Sequence, residues 1–378
     1  MNYRKFGKLD YQVSNLGFGC MRLPVIDGDN GNINEEESIK MIRFAIDNGV
    51  NYIDTAYPYH QKNSELLVGK ALKDGYRQKV KLATKLPVWL CETYDDFDKY
   101  LNEQLQKLDT EYIDFYLLHS LSNKSWSKAK DLGVLKFLDK ALADGRVKYA
   151  GFSFHDDLSI FKEIVDSYDW SFCQIQLNYM DEKYQAGMQG LRYASEKGLA
   201  VVIMEPIKGG KLAKQPEGDL KEIWERSGVK RTPAELALRW VWNHPEVTVL
   251  LSGMSNMEQV EENIRTASNI NPSSLEANEV KLIKDIKEIY SKRNKVGCTA
   301  CRYCVPCPNK VAIPDIFEIY NNYFVYDATE AGINSYERMK KAAVDSSSCI
   351  ECGQCESLCP QNIEIIRHLK DADLVLNR

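Results

Sequence analysis

Seven short apolar runs punctuate residues 50–251, and their spacing constrains the fold of this 378-residue chain more than any other feature. They are Val50–Ile53, Val80–Ala83, Ile113–Leu118, Val147–Gly151, Phe172–Leu177, Ala200–Met204 and Val247–Leu251. Continuous apolar runs of this length suit strands covered on both faces, as in a parallel sheet. Between them, helix starts are legible. Asn34 with Glu37 has the spacing of an N-cap pair, Thr232-Pro233-Ala234-Glu235 puts Thr at the cap and Pro at the first helical position, and Ser255-Asn256-Met257-Glu258 repeats the device. A further strand near Asn15–Gly19 brings the count to eight, and eight βα units in about 270 residues is the arithmetic of an α/β fold, the (β/α)8 TIM barrel. A doubly wound sheet would want a Gly-rich fingerprint after its first strand, and Gly17-Phe18-Gly19-Cys20 does not continue into one. Tyr3–Phe6 and Tyr11–Ser14, flanking Gly7-Lys8-Leu9-Asp10, predict a hairpin over one barrel mouth.

Cysteine usage divides the chain in two. Residues 1–297 hold only Cys20, Cys91 and Cys173, at no ligand spacing; residues 298–378 hold the other eight. One group is Cys298, Cys301, Cys304 and Cys307 before Pro308, the other Cys349, Cys352, Cys355 and Cys359 before Pro360. Zinc sites use two separate pairs, whereas three thiolates spaced by two residues converge on one cubane cluster, with a remote Cys as fourth ligand. The second group matches the bacterial ferredoxin pattern; the first has two residues, not three, before Cys307. In two-cluster ferredoxins the Cys before Pro ligates the other cluster. That logic assigns Cys298, Cys301, Cys304 and Cys359 to one 4Fe–4S centre and Cys349, Cys352, Cys355 and Cys307 to a second. The expected division is residues 1–292 for the barrel and 293–378 for a ferredoxin-like α+β iron–sulfur domain.

Composition removes other classes. The net charge is −5, with both signs interspersed, so there is no electrostatic footprint for nucleic acid or an anionic membrane. No apolar stretch approaches the roughly 18 residues that cross a bilayer, and Met1–Phe6 lacks the apolar core of a signal peptide. A cytoplasmic protein is expected.

Polar residues gather where the predicted strands end. Asp54-Thr55-Ala56-Tyr57-Pro58-Tyr59 follows the second strand, Lys85 closes the third and His119 the fourth. C-terminal strand ends form the active face of such barrels. Over about residues 3–270 the chain here resembles the aldo-keto reductase superfamily, whose hallmark is an Asp, Tyr, Lys, His tetrad, and as a whole it resembles the branch with a C-terminal ferredoxin-like domain. The resemblance implies reduction of an aldehyde or ketone with NADP(H) or NAD(H). Tyr59 would be the proton donor, Lys85 would lower its pKa, Asp54 would hold Lys85, and His119 would orient the carbonyl. It also implies that Ser153 and Gln174 meet the nicotinamide carboxamide. Pro206, Gly209 and Lys211 would belong to a loop over the pyrophosphate, and Ser252, Gly253, Ser255, Gln259 and Asn263 to the adenosine end. Gly253 and Gln259 stand where a Lys and an Arg often grip a 2′-phosphate; Lys208 and Lys211 are candidate substitutes. Tyr57, His60, His155 and Trp89 are expected at the substrate mouth.

The partner expected is a small carbonyl compound, with an external electron-transfer partner for the clusters. The competing reading is an iron–sulfur electron-transfer or redox-sensing protein whose barrel is a docking module. A 4Fe–4S centre passes one electron and nicotinamide takes two as hydride, and no flavin fingerprint reconciles them.

Overall fold

The computed structural model describes residues 1–298, 302–359 and 361–378. Strands β1 (Tyr3–Lys5) and β2 (Gln12–Ser14) form an antiparallel hairpin. They are followed by β3 (Leu16–Gly19), β4 (Tyr52–Asp54), β5 (Lys81–Leu86), β6 (Ile113–Leu121), β7 (Val147–Phe154), β8 (Phe172–Gln176), β9 (Ala200–Met204) and β10 (Val247–Gly253). These eight are parallel and consecutive neighbours, and β10 returns to β3 to close the barrel. Each expected strand is present, several running a few residues further at the C-terminal end. The register aligns those ends: Gly19 pairs with Asp54, Asp54 with Ala83, and Lys85 with Leu117.

The hairpin closes the opposite end. Phe6 is fully buried against Tyr52 and Phe172 at the starts of their strands, its ring 4.3 Å from that of Phe115. Burying such a ring contributes about 2 kcal/mol. The turn beside it needs glycine: Gly7 has φ +55°, and a Cβ there would lie 2.6 Å from the Ala200 nitrogen.

Helix starts follow their local chemistry. Asn34 caps α1 (Glu35–Asp47) by accepting from the Glu37 N–H, and Thr232 caps the helix Pro233–Trp242 through the Glu235 N–H. The helix Met257–Ser268 begins one residue later than expected: the Asn256 side chain accepts from the Gln259 N–H, while the Ser255 N–H donates to the Gln259 side chain. Asn is as good a cap as Ser, and its Oδ1 reaches the third N–H. Helices α2 (Ser64–Ala71) and α3 (Asp95–Leu108) follow β4 and β5.

By contacts the chain forms two compact units, residues 1–215 with 230–276, and residues 216–229 with 277–378. The helix Ala277–Arg293, placed with the barrel in the sequence reading, thus groups with the second unit. There its Arg293 pairs with Asp219 of the helix Gly218–Ser227. Its buried stripe is Leu282, Ile283, Ile286 and Tyr290, and Val280 is exposed. Elsewhere in this unit the helices Ile313–Val325, Thr329–Lys341 and Ile365–Leu376 share an apolar core of Phe317, Tyr336, Leu369 and Leu376. Cys298, Cys304, Cys307, Cys349, Cys355 and Cys359 pack against that core. Among the described residues no helix is long and apolar enough to cross a membrane.

Candidate functional site

The C-terminal ends of the barrel strands open into a cleft of about 640 Å³, lined entirely by the first unit. At its floor Lys85 is completely buried and its three ammonium protons have three acceptors. These are Asp54 Oδ1 at 2.6 Å, the Thr55 carbonyl at 2.8 Å and the Tyr59 hydroxyl at 3.4 Å. Burial works against the charge on Lys85, yet Asp54 and then Tyr59 hold its pKa above the ordinary amine value. Burial pushes the Tyr59 phenol above its ordinary value, with Lys85 pulling it down and Asp54 adding to the rise. The net direction is upward, against the expectation that Lys85 would leave the phenol lowered, because desolvation outweighs the neighbouring cation.

His119 stands on β6 with its ring centroid 6.1 Å from that of Tyr59 and 5.1 Å from that of Trp89. Burial, helped by Lys85 and His155, holds its pKa well below 6.5, so the ring is neutral, and its buried Nδ1 has no hydrogen-bond partner among the described residues. His155 lines the cleft, whereas Trp89, 41% exposed, lies beside the His119 ring but outside the lining. Tyr57 and His60 are elsewhere. The Tyr57 hydroxyl donates to Glu103, and its ring meets Tyr100 edge-on. His60 accepts from the Leu23 N–H through Nε2 and its Nδ1 lies 2.8 Å from the Asn30 carbonyl. It thereby clamps a turn in which His60, Gln61 and Lys62 all have positive φ. No glycine marks that turn, so the sequence gives no sign of it.

Around the cleft, Ser153, Gln174, Pro206, Gly209, Ser252, Gly253, Ser255, Gln259 and Asn263 all contribute to the lining. Ser153 and Gln174 are register neighbours on β7 and β8. The Ser153 oxygen accepts from the Ser120 N–H, which leaves its own O–H to donate, and Gln174 Oε1 is buried with no hydrogen-bond partner among the described residues. One donor beside one unfilled acceptor complements a primary amide, so the residues present fit the carboxamide of a nicotinamide. At the other end Asn263 donates to the buried Ser252 hydroxyl. Lys211 falls outside the lining and Lys214 within it, because Gly209 and Gly210, both at positive φ, turn the loop. Lys208 bonds both oxygens of Asp181 at 2.8 Å and is outside the lining too. Sequence reasoning missed Arg22, which lines the cleft 3.7 Å from Glu205 and packs along Gly253. Its place three residues beyond β3 was the available signal.

In the second unit, Cys304, Cys307, Cys349, Cys352 and Cys355 line one cavity; Cys298, Cys304 and Cys359 line another. Cys301 lies outside the described residues. Each cavity takes in the described members of one expected ligand set, with Cys304 common to both. Burial pushes the Cys355 thiol up to about 11, and Cys307, Cys349, Cys352, Cys355 and Cys359 are in no disulfide. Among the described residues no three Cys, His or acidic side chains converge tightly enough for a single metal ion. A cubane takes thiolates from sequence-remote cysteines, and each cavity is lined by cysteines of both groups, a donor set that fits such a cluster.

The model of the aldo/keto reductase family matches residues 15–288. The chain belongs to the aldo/keto reductase family. A 4Fe-4S dicluster domain model matches residues 297–364, so this is an aldo/keto reductase with a C-terminal iron–sulfur domain. A probable aldo-keto reductase of Glycine max is 30% identical over 76% of this chain and 87% of its own length. L-galactose dehydrogenase of Arabidopsis thaliana is 25% identical over 75% and 94%. The holo structure of an aldo-keto reductase from Bacillus halodurans superposes with a TM-score of 0.63 at 28% identity, covering 75% of this reductase and 95% of that chain.

Proposed function

We propose that this reductase uses NAD(P)H to reduce an aldehyde or ketone to an alcohol. The observation that carries the reading is the buried Asp54–Lys85–Tyr59 arrangement at the floor of the cleft. A docking barrel would have no use for it, since a buried ion pair contributes little net stability. NAD(P)H, when bound, supplies the hydride. Ser153 and Gln174 would hold its carboxamide, and the segments from Pro206 and Ser252 would line its phosphate and adenosine ends.

As the carbonyl carbon accepts hydride, negative charge develops on oxygen, and a proton must be delivered there. Tyr59 donates it, and Lys85 stabilises the phenolate left behind. Asp54 keeps Lys85 charged and placed, while neutral His119 donates a hydrogen bond that orients the carbonyl. With Lys208 and Lys211 outside the lining and Gly253 and Gln259 in place of the two cations often found at the adenosine end, Arg22 along Gly253 and Lys214 are cations that line the cleft instead, and discrimination between NADPH and NADH should be mild. The iron–sulfur domain is accessory to this chemistry. Its two cysteine sets would hold two 4Fe–4S clusters that exchange electrons with a separate redox partner.

Aldehyde-dependent oxidation of NADPH or NADH by anaerobically purified protein is the expected result. Tyr59→Phe should lower the rate at least roughly 10²-fold with dinucleotide binding retained. Unchanged turnover in Tyr59→Phe would remove Tyr59 from the mechanism, and cluster bleaching by NADPH without aldehyde dependence would favour the electron-transfer reading.

A further inference from the structure

We propose that Glu65, acting with Thr84 and Gln104, is a positioning residue for Lys85. The inference rests on the reading of Lys85 and Tyr59 given above and concerns the opposite face of the same strands. Glu65 is completely buried on α2, behind the barrel wall. Its Oε1 accepts from the Thr84 hydroxyl at 2.7 Å and from Gln104 Nε2 at 2.6 Å. Gln104 Nε2 also donates to the Lys85 carbonyl at 3.0 Å, and Gln104 Oε1 accepts from the Tyr116 hydroxyl at 2.7 Å. One carboxylate thus reaches Lys85 from two sides, through the side chain of the preceding residue and through a glutamine on the Lys85 carbonyl.

Ser64, the residue before Glu65, makes the matching attachment to the segments just after β3 and β4. Ser64 Oγ lies 2.9 Å from Thr55 Oγ1 and donates to the Cys20 carbonyl at 2.9 Å. Two successive residues of one helix therefore fasten the neighbours of Asp54 and the backbone of Lys85. Gly69, four residues beyond Glu65, lets α2 approach α3 closely, since a Cβ there would lie 2.6 Å from the Lys107 carbonyl oxygen. A carboxylate is a costly way to fill such a space: the second oxygen, Oε2, has no hydrogen-bond partner among the described residues and only Lys107 at 3.9 Å. A role in fixing Lys85 accounts for it, because a single side-chain oxygen takes the Thr84 and Gln104 bonds at once.

The test compares Glu65→Ala with Glu65→Gln, whose amide oxygen can still accept both bonds. Glu65→Ala should lower kcat at least tenfold with little change in KM for the dinucleotide, and Glu65→Gln should stay within threefold of the wild type. The second readout needs no turnover. The Tyr59 phenol, which faces Lys85, Asp54, Cys20 and His119, is titrated by ultraviolet difference between each protein and its Tyr59→Phe counterpart. In Glu65→Ala the midpoint should rise, because the cation that lowers it has shifted; in Glu65→Gln it should not. A folded Glu65→Ala protein with the wild-type midpoint overturns the proposal whatever its activity. A wild type that reduces no carbonyl overturns the reductase reading and leaves the titration to decide this one. Should Glu65→Ala not fold, Thr84→Val, close in shape, should raise the midpoint and lower kcat three- to tenfold, and wild-type values there would equally overturn it.

Discussion

His119 shows at the scale of one residue how position changes chemistry. A surface imidazole would be partly charged near neutrality, whereas burial beside the Lys85 ammonium keeps this one neutral. The sign for stability follows from linkage. Below pH 6.5 the unfolded chain takes up a proton that folded His119 refuses, so folding free energy falls as the pH drops through that value. The loss from this group accumulates as the pH falls below 6.5. His119→Gln should show less acid destabilisation than the wild type in urea titrations made on either side of pH 6.5. An equal loss in both proteins would mean that the ring protonates freely in the fold. Asp54, Lys85 and His119 were legible in the sequence because each stands at or just beyond the C-terminal half of a strand, a position set by topology. The opposite fates of Tyr57 and Tyr59 were not. They depend on a turn with three residues at positive φ, held by His60 to the segment around Leu23 and Asn30.

Elements were legible wherever their own residues carry the signal, and less so where a partner element decides. Strands could be read because both faces are buried and the run is therefore continuous. The close packing of α2 on α3 could not, since Gly69 within Ser64–Ala71 reads in sequence only as a weak helix former. Propensity and packing make opposite predictions for Gly69→Ala. By propensity alone alanine stabilises a helix interior by about 1 kcal/mol. Here the added methyl would lie 2.6 Å from the Lys107 carbonyl oxygen and 3.1 Å from that of Leu108, backbone atoms that move only if the helices separate. Forced overpacking costs about 1–3 kcal/mol, so the variant should be net destabilised in denaturant unfolding. A more stable variant would show that the helices part freely.

For the molecule as a whole, the distribution of cysteine divided the chain correctly into chemistries, but contacts divide it differently in space. Residues 216–229 sit in the middle of the barrel's sequence and still group with the C-terminal unit, because the helix they form packs against Ala277–Arg293. An internal insertion of this kind leaves no trace in cysteine spacing or hydrophobic period. Cys-Pro spacing, by contrast, supplies a pairing to test, and one cavity groups Cys307, with Cys304, beside Cys349, Cys352 and Cys355 across more than 40 intervening residues. If Cys307, Cys349, Cys352 and Cys355 hold one cluster, substitutions at its two ends act on the same object. Anaerobically purified protein should contain about eight irons and eight sulfides per chain, and Cys307→Ser and Cys355→Ser should each bring the iron towards about four. The double variant should lose no more than either single one, whereas Cys359→Ser combined with Cys307→Ser should remove both clusters. Aldehyde reduction by Cys307→Ser protein should persist, since hydride and proton transfer at Tyr59 need no one-electron centre. An additive iron loss in the Cys307/Cys355 pair would place those thiolates on different clusters and break the crossed arrangement.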